Sequence, residues 1–342
     1  MENKIQTITK YQQVADLIEQ EIKLGRYIPG TKLPSERDLA KRYGISHMTV
    51  NKALSLLVAK KMLKRVHGNG TFIIGDHAFI SSKLIMVAIP AEIHNHPLFY
   101  PDLTNALQDT GFFTILLNTD AENISESFWK VLEQQPKACV IDPPRDMVVK
   151  ELTGFKGYEN IIFIHKPIQI SDNHTFSVIY TDYISVGYEG MKALFSHNRK
   201  NILVLGYEKE PDGIINLFCQ GCEKAMNEFE VQGYHFLDTN KVNETEMENL
   251  FIDKKFDGIF SLGDFRAIPY LKIFHKLGVK IPEDVEIVGT YNTPWAETFG
   301  ITSICINQKQ IIDEVINCLK ENLKGHVKKI SPYIVFRNSC PK

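Results

Sequence analysis

The chain has 342 residues, 44% of them hydrophobic, and a formal charge of −2 from 39 basic and 41 acidic side chains. That composition belongs to a globular protein long enough for two or three domains with their own cores. No stretch approaches the ~20 apolar residues needed to cross a bilayer, and the polar start Met1-Glu-Asn-Lys-Ile-Gln-Thr7 has no apolar block behind it, so neither a membrane span nor secretion is expected.

Six cysteines are too sparse for a disulfide scaffold, which suits a reducing cytoplasm. The close pair Cys219-Gln-Gly-Cys222 has no second pair at metal spacing and reads as two small helix residues rather than a zinc or redox site. The near-zero total charge is divided unevenly. Residues 1–75 hold nine Lys and four Arg against six acids, a net +7, which leaves −9 on the rest. A small basic segment on a large acidic one points to an arm for a polyanion, or to a chance cluster of solvated charge.

The order of elements decides between the two. Tyr11, Val14, Leu17, Ile18 and Ile22 recur at helical spacing before Gly25 and Pro29-Gly30 end the run. In Pro34-Ser-Glu-Arg-Asp38 a capping hydroxyl at Ser35 precedes a carboxylate by three residues, and Leu39, Ala40 and Tyr43 supply the apolar face of a short second helix that stops at Gly44. A third helix starts from Ser46 as cap, with Val50, Ala53, Leu54, Leu57 and Val58 inward. Met62 to Val66 and Thr71 to Ile74 then flank His67-Gly-Asn-Gly70 as a hairpin. Helix, helix-turn-helix and hairpin together predict a winged helix over residues 1–74.

In such a domain the start of the third helix enters the major groove, so Ser46, His47, Met48, Thr49, Asn51 and Lys52 are the candidate DNA contacts there. An Asn can bond an adenine edge at two points, which makes Asn51 informative unless it simply faces water. Ser46 reads both as helix cap and as phosphate donor. Gly68 and Gly70 let the hairpin backbone approach the sugar-phosphate chain, and His67 and Asn69 can probe the minor groove.

Tyr11-Gln-Gln-Val-Ala15, Pro29-Gly-Thr-Lys-Leu-Pro-Ser-Glu-Arg-Asp-Leu-Ala40, Thr49-Val-Asn-Lys-Ala-Leu54 and Gly68-Asn-Gly-Thr-Phe72 together resemble the DNA-binding domain of the GntR family of bacterial regulators. The resemblance implies that Arg37 binds phosphate or guanine, that Ser46 to Asn51 make the recognition contacts, and that His67 to Gly70 form the wing tip. His47 and Asn51 stand where the family commonly has arginine, so a family-consensus operator is not implied.

Residues 75–83 lack a sustained period and read as a linker. From 84 to 342 short apolar strands alternate with amphipathic helices. The strands are Leu84 to Ile89, Phe113 to Leu117, Ala138 to Ile141, Ile161 to Ile164, Ile202 to Leu205, Gly258 to Ser261 and Glu286 to Thr290. Helices are predicted near Tyr100 to Asp109, Ser125 to Glu133, Ser185 to Ser196, Ile214 to Phe229, Arg266 to Lys276 and Gln310 to Asn322. This is the pattern of parallel sheets covered by helices on both faces, long enough for two lobes with a cleft between them.

Val178-Ile-Tyr-Thr-Asp182, His197-Asn-Arg-Lys-Asn-Ile-Leu-Val-Leu-Gly206, Phe256-Asp-Gly-Ile-Phe-Ser-Leu-Gly-Asp264 and Leu277-Gly-Val-Lys-Ile-Pro-Glu-Asp-Val-Glu-Ile-Val-Gly289 resemble the effector domain of LacI/GalR regulators and periplasmic sugar-binding proteins. A GntR-type head on such a body resembles the AraR-like branch. That implies a sugar-responsive repressor released from operator DNA by its effector, with Gln310 to Asn322 packed back on the first lobe, and a dimer is expected because one head buries too little surface for tight specificity. Phe218 and Tyr291 stand where sugar-responsive relatives usually have arginine and aspartate.

Phe99, Tyr100, Phe218, Tyr291 and Trp295 are candidate aromatic walls of the effector cleft, with Arg145, Asp264, Arg266 and Asn292 as polar anchors. Each aromatic also fits a core position, and Asp264 also fits a helix cap. Such a cleft suits a monosaccharide, its phosphate or a less polar deoxysugar. No phosphate loop, nucleophile elbow or paired metal-spaced histidines stand out, so neither a catalytic site nor a cofactor is expected. His94-Asn-His96 reads as loop rather than metal pair. The competing class is a small-molecule binding protein or enzyme of the periplasmic-binding fold.

Overall fold

The computed structural model describes residues 9–23, 26–27, 30–74, 83–90, 98–118, 124–133, 136–142, 160–168, 176–207 and 213–342. All of the expected linker except Lys83, together with Arg145, His94 and His96, lies outside the described residues. The chain divides into two compact units, Met1–Leu84 with Val131–Lys137, and Ile85–Lys130 with Ala138–Lys342.

The N-terminal unit is built from α1 (Lys10–Lys23), α2 (Glu36–Tyr43), α3 (His47–Ala59) and the antiparallel hairpin β1 (Leu63–Val66) and β2 (Gly70–Ile73). The predicted caps form: Ser35 Oγ accepts from the Asp38 amide, Ser46 Oγ accepts from the Thr49 amide, and Gly44 ends α2 in the left-handed region at φ 63°. Val14, Ala15, Ile18, Leu39, Val50, Ala53, Leu54, Leu57, Leu63 and Ile73 share one core. Leu17 departs from expectation and is 48% exposed, because the inward face of α1 is centred on Val14, Ile18 and Ile22. Glu21 is buried and accepts from Arg42 at 2.7 Å and from the Tyr43 hydroxyl at 3.0 Å, which ties α1 to α2. Residues 31–33 run beside β2, with the Leu33 amide on Thr71 O and the Ile73 amide on Thr31 O.

The second unit holds two six-stranded sheets. The first contains β3 (Leu84–Ile89), β4 (Phe113–Asn118), β5 (Ala138–Ile141), β6 (Ile161–His165), β7 (Ser177–Thr181) and β13 (Val327–Ile330), in the order β13-β7-β6-β5-β3-β4. Its helices are α4 (Phe99–Asp109), α5 (Ile124–Leu132) and the late α11 (Gln308–Glu321). Ile311, Ile312, Val315, Cys318 and Leu319 of α11 enter the core of this first lobe, as expected for the return helix.

The second sheet contains β8 (Ile202–Gly206), β9 (His235–Asp238), β10 (Gly258–Ser261), β11 (Glu286–Thr290), β12 (Thr302–Cys305) and β14 (Tyr333–Val335), in the order β14-β12-β11-β10-β8-β9. It is flanked by α6 (Tyr183–Ser196), α7 (Ile214–Phe229), α8 (Glu244–Lys254), α9 (Ile268–Leu277) and α10 (Pro294–Thr298). The central pairings are parallel, and their strands are buried on both faces. Continuous runs such as Ile161-Ile-Phe-Ile164 are the sequence mark of that environment.

Among the described residues the chain passes between the sheets three times, after β7, after β12 and after β13. Two of these crossings are tied together. The Asp182 amide donates to Ile330 O at 2.9 Å, and the Asp182 carboxylate, which also caps α6, pairs with Lys329 at 2.9 Å. α6 and α7 approach closely because Gly187 and Gly221 face each other's helix. A Cβ on Gly187 would lie 2.0 Å from Phe218 O, and one on Gly221 would lie 2.0 Å from Ile184 O.

Candidate functional site

Two surfaces carry the candidate residues. On the N-terminal unit the start of α3 presents His47 and Lys52 exposed and Met48 at 71% exposure, with Arg37 exposed on α2. Ser46 caps α3, and its hydroxyl lies 2.8 Å from that of the half-buried Thr49. At the wing tip His67, Gly68, Asn69 and Gly70 are exposed, with Gly68 at φ 72° and Gly70 at φ 108°, backbone that favours glycine.

Asn51 neither faces water nor stands free. Its amide Nδ2 donates to both carboxylate oxygens of Glu36, at 3.1 and 3.2 Å. The same carboxylate pairs with His47 Nε2 at 3.1 Å and with Arg65 of β1 at 3.3 Å, and Arg65 also donates to Asn51 O at 3.2 Å. One acid on α2 thus gathers two residues of α3 and one of the hairpin. The sequence reading passed over Glu36 because its partners lie up to 29 positions away.

The second surface lies in the larger unit at the carboxyl ends of the parallel strands, where ligands bind in open α/β sheets. Asp142 follows β5 and His165 ends β6. The Tyr100 hydroxyl donates to Asp142 Oδ2, which lies 2.9 Å from His165 Nδ1, and the Phe99 ring centroid lies 4.5 Å from that of His165. Tyr183 opens α6 after β7, and from the other sheet come Tyr207, Arg266 and Tyr291. The Arg266 guanidinium sits 4.4 Å from the Phe265 ring centroid and 5.4 Å from that of Tyr207.

The two sets are electrostatic neighbours. Burial first, then Tyr207 and Asp142 among others, push the Tyr291 phenol far above the ordinary tyrosine value, and burial with Tyr291, Tyr207 and Asp142 does the same to Tyr183. His165 (φ 67°), Tyr291 (φ 83°) and Asn292 (φ 49°) all hold left-handed backbone at these strand ends. Such strain in non-glycine residues concentrates at functional sites.

Tyr100, Arg266 and Tyr291, all buried, are grouped with these strand-end residues, while other candidates are not. Phe218 is fully buried in the second-lobe core with its ring centroid 4.7 Å from that of Phe260, which corrects its assignment as a cleft wall. Phe99 is fully buried and supports Tyr100 and His165 from beneath, so it too is corrected from wall to support.

Asp264 is also fully buried, and both carboxylate oxygens are committed. Oδ2 accepts from the Thr293 amide at 2.7 Å and from its hydroxyl at 2.8 Å, and Oδ1 accepts from Ser303 Oγ at 2.7 Å. It braces the turn after β11 rather than anchoring a ligand, and Gly289 makes room for it, since a Cβ there would lie 2.1 Å from Oδ1. Burial pushes its carboxyl up to about 6 against the pull of those hydrogen bonds. Asn292 is held by Arg337, which donates to its Oδ1 at 2.6 Å. Trp295 stands 45% exposed on α10.

Asp142, His165, Tyr183 and Tyr207 are functional candidates that sequence reasoning missed. The available signal was position, because Asp142 and His165 directly follow predicted strands and Tyr207 lies two residues beyond one.

This geometry defines a class: a winged helix-turn-helix joined to a two-lobed, parallel-sheet ligand-binding body. Residues 10–73 match the family described as bacterial regulatory proteins, gntR family, and residues 191–340 match the periplasmic binding protein-like domain. The chain couples a gntR-type head to a periplasmic-binding-protein-like body.

Among curated relatives, the transcriptional repressor NagR of Bacillus subtilis (strain 168) is 45% identical over 71 residues, 21% of this chain and 29% of that protein. The arabinose metabolism transcriptional repressor of Halalkalibacterium halodurans is 23% identical over 311 residues, 82% of this chain and 80% of that protein. The chain spans about a third of the length of the first curated relatives it matches, at 29%, 37% and 26%. Among solved structures, the Escherichia coli transcriptional repressor AscG superposes with a TM-score of 0.64 at 16% identity, covering 76% of this chain and all of that one. The cellobiose complex of the regulator CelR gives 0.62 at 13% identity, covering 90% of this chain and 100% of that chain. These structural likenesses concern the fold.

Proposed function

We propose that the protein is a ligand-responsive, sequence-specific DNA-binding transcriptional regulator, a repressor that leaves its operator when a sugar or sugar-derived effector occupies the cleft of the body. The observation that carries this reading is the pairing, in one chain, of a recognition helix with exposed His47, Met48 and Lys52 and a cleft where Tyr100, Asp142 and His165 meet Tyr207, Arg266 and Tyr291. Its domains are 1–74 for DNA, 75–83 as linker and 84–342 for effector and assembly.

Aromatic faces with a carboxylate and a guanidinium suit a monosaccharide or its phosphate. The long match to an arabinose metabolism repressor supports a sugar. No described helix is long and apolar enough to cross a membrane, and the reading places the protein in the cytoplasm with no cofactor and no catalytic site.

The protein acts as a homodimer assembled through the body, with one winged helix on each half of a palindromic operator, since a single head buries too little surface for tight specificity. Support for the body as the interface comes from β4, an uncharged edge strand with Phe113 and Leu116 about half exposed, at 47% and 52%.

A gel shift of the full chain against DNA upstream of its own gene cluster, with a scrambled duplex as competitor, tests the reading. A shifted band that only the specific duplex competes away supports it. Equal competition by both duplexes refutes sequence-specific binding.

A further inference from the structure

At the far end of the second sheet from the cleft, three donor groups of different chemistry converge. His197 closes α6, Glu286 opens β11 and Cys340 lies in the C-terminal segment that the Arg337–Cys340 bridge folds back. His197 Nδ1 lies 2.9 Å from Glu286 Oε1, and Cys340 Sγ lies 3.8 Å from His197 Nδ1 and 3.5 Å from Glu286 Oε2. All three donor atoms fall within 4.8 Å of one another.

An ion held by nitrogen at ~2.0–2.1 Å, oxygen at ~2.0–2.2 Å and sulfur at ~2.3 Å in a tetrahedron separates its donors by roughly 3.3–3.6 Å. Two of the distances match that spacing within a few tenths of an ångström. The third is contracted to a hydrogen bond.

We propose that His197 Nδ1, the Glu286 carboxylate and Cys340 Sγ form a three-ligand site for a zinc-type divalent cation. The ligand set selects this class, because a thiolate, an imidazole and a carboxylate together favour zinc over the oxygen-seeking magnesium and calcium.

The surroundings supply the other parts a metal site needs. Arg199 lies 3.7 Å from Glu286 Oε2 and is itself anchored by donation to Pro282 O at 2.6 Å, so it orients the carboxylate from outside the site. Glu286 and Cys340 are buried, while His197 lines a surface pocket of about 240 Å³ together with Glu189, Lys192, Ser196, Phe336 and Lys342. That pocket gives the ion its entry and leaves the fourth position to water. On binding, the Sγ–H bond breaks, its proton leaves to solvent and a sulfur–metal bond forms. His197 would bind through Nδ1, which leaves Nε2 to carry the ring proton. The bound ion ties the C-terminal segment to α6 and β11.

The test uses the full chain, stripped with chelator, then given zinc alone and passed through gel filtration. The site predicts one retained equivalent of zinc, lost in both His197→Ala and Cys340→Ser and kept in Cys219→Ser. Cobalt(II) added to the stripped wild-type chain reports the same bond without relying on a variant's folding, through a thiolate-to-cobalt absorption band that Cys340→Ser lacks. No retained zinc and no such band in the wild type overturns the proposal. So does zinc retained equally by His197→Ala and Cys340→Ser.

Discussion

Glu36 and Asn51, on neighbouring helices of the head, are joined through both carboxylate oxygens, at 3.1 and 3.2 Å. A two-point bond to an adenine edge uses Asn51 Oδ1 and one of the two N–H groups on Nδ2, so the other can stay on Glu36 and fix the amide's orientation. The carboxylate also pairs with His47 and Arg65, so it offsets part of their positive charge. Glu36→Gln keeps an acceptor for Asn51 but releases the two basic side chains. Titration of operator and scrambled duplexes at one salt concentration should show scrambled DNA binding more tightly and the ratio between the two falling. Asn51→Ala should instead cost roughly 1–3 kcal/mol on the operator and relax preference at one base position.

Asp264 makes stability depend on pH in a stated direction. Its folded value of about 6 lies above the ordinary 3.8, so between those values the native state holds a proton that the unfolded chain has lost. The contribution is fully present below the unfolded value and is lost as pH rises through about 6. Denaturant titrations of wild type and Asp264→Asn should show the wild type gaining, relative to the variant, on the order of 2 kcal/mol between pH 7 and pH 4.

The contact between α6 and α7 leaves no room for a methyl group at Gly187, where a Cβ would lie 2.0 Å from a backbone oxygen. Gly187→Ala should destabilise the body by about 1–3 kcal/mol or more, read as a lower urea midpoint at unchanged slope.

Asp142 joins Tyr100 to His165 and is an acceptor suited to a sugar hydroxyl. Asp142→Asn should weaken effector binding roughly 10- to 150-fold in calorimetric titration, the loss of one charge-assisted hydrogen bond. Operator affinity without effector should stay at the wild-type value.

The winged helix was legible because its signals are local: caps at Ser35 and Ser46, a left-handed Gly44, and a glycine-rich hairpin tip. The buried parallel strands were legible as continuous apolar runs. Periodicity reports which face is apolar and not what covers it, so Phe218 packed on Phe260 and Trp295, which stands 45% exposed, look alike in sequence. Strands of only four and three residues, such as His235–Asp238 and Tyr333–Val335, are too short to show a period. Asp142 and His165 escaped because their meaning comes from Tyr100, as much as 65 positions away. The strand-end rule would have found them.

The central claim is that one chain links sugar occupancy to operator affinity, and linkage requires the link to act both ways. In the dimer proposed above, closure of the lobes about the three crossings among the described residues would carry that link. The direct measurement is a paired titration of the full chain: operator affinity with and without saturating sugar from a monosaccharide and sugar-phosphate panel, and sugar affinity with and without operator. The account predicts one sugar that weakens operator binding by roughly 5- to 150-fold, with operator weakening the binding of that sugar by the same factor. A panel in which no sugar binds, or a bound sugar that leaves operator affinity unchanged, contradicts it.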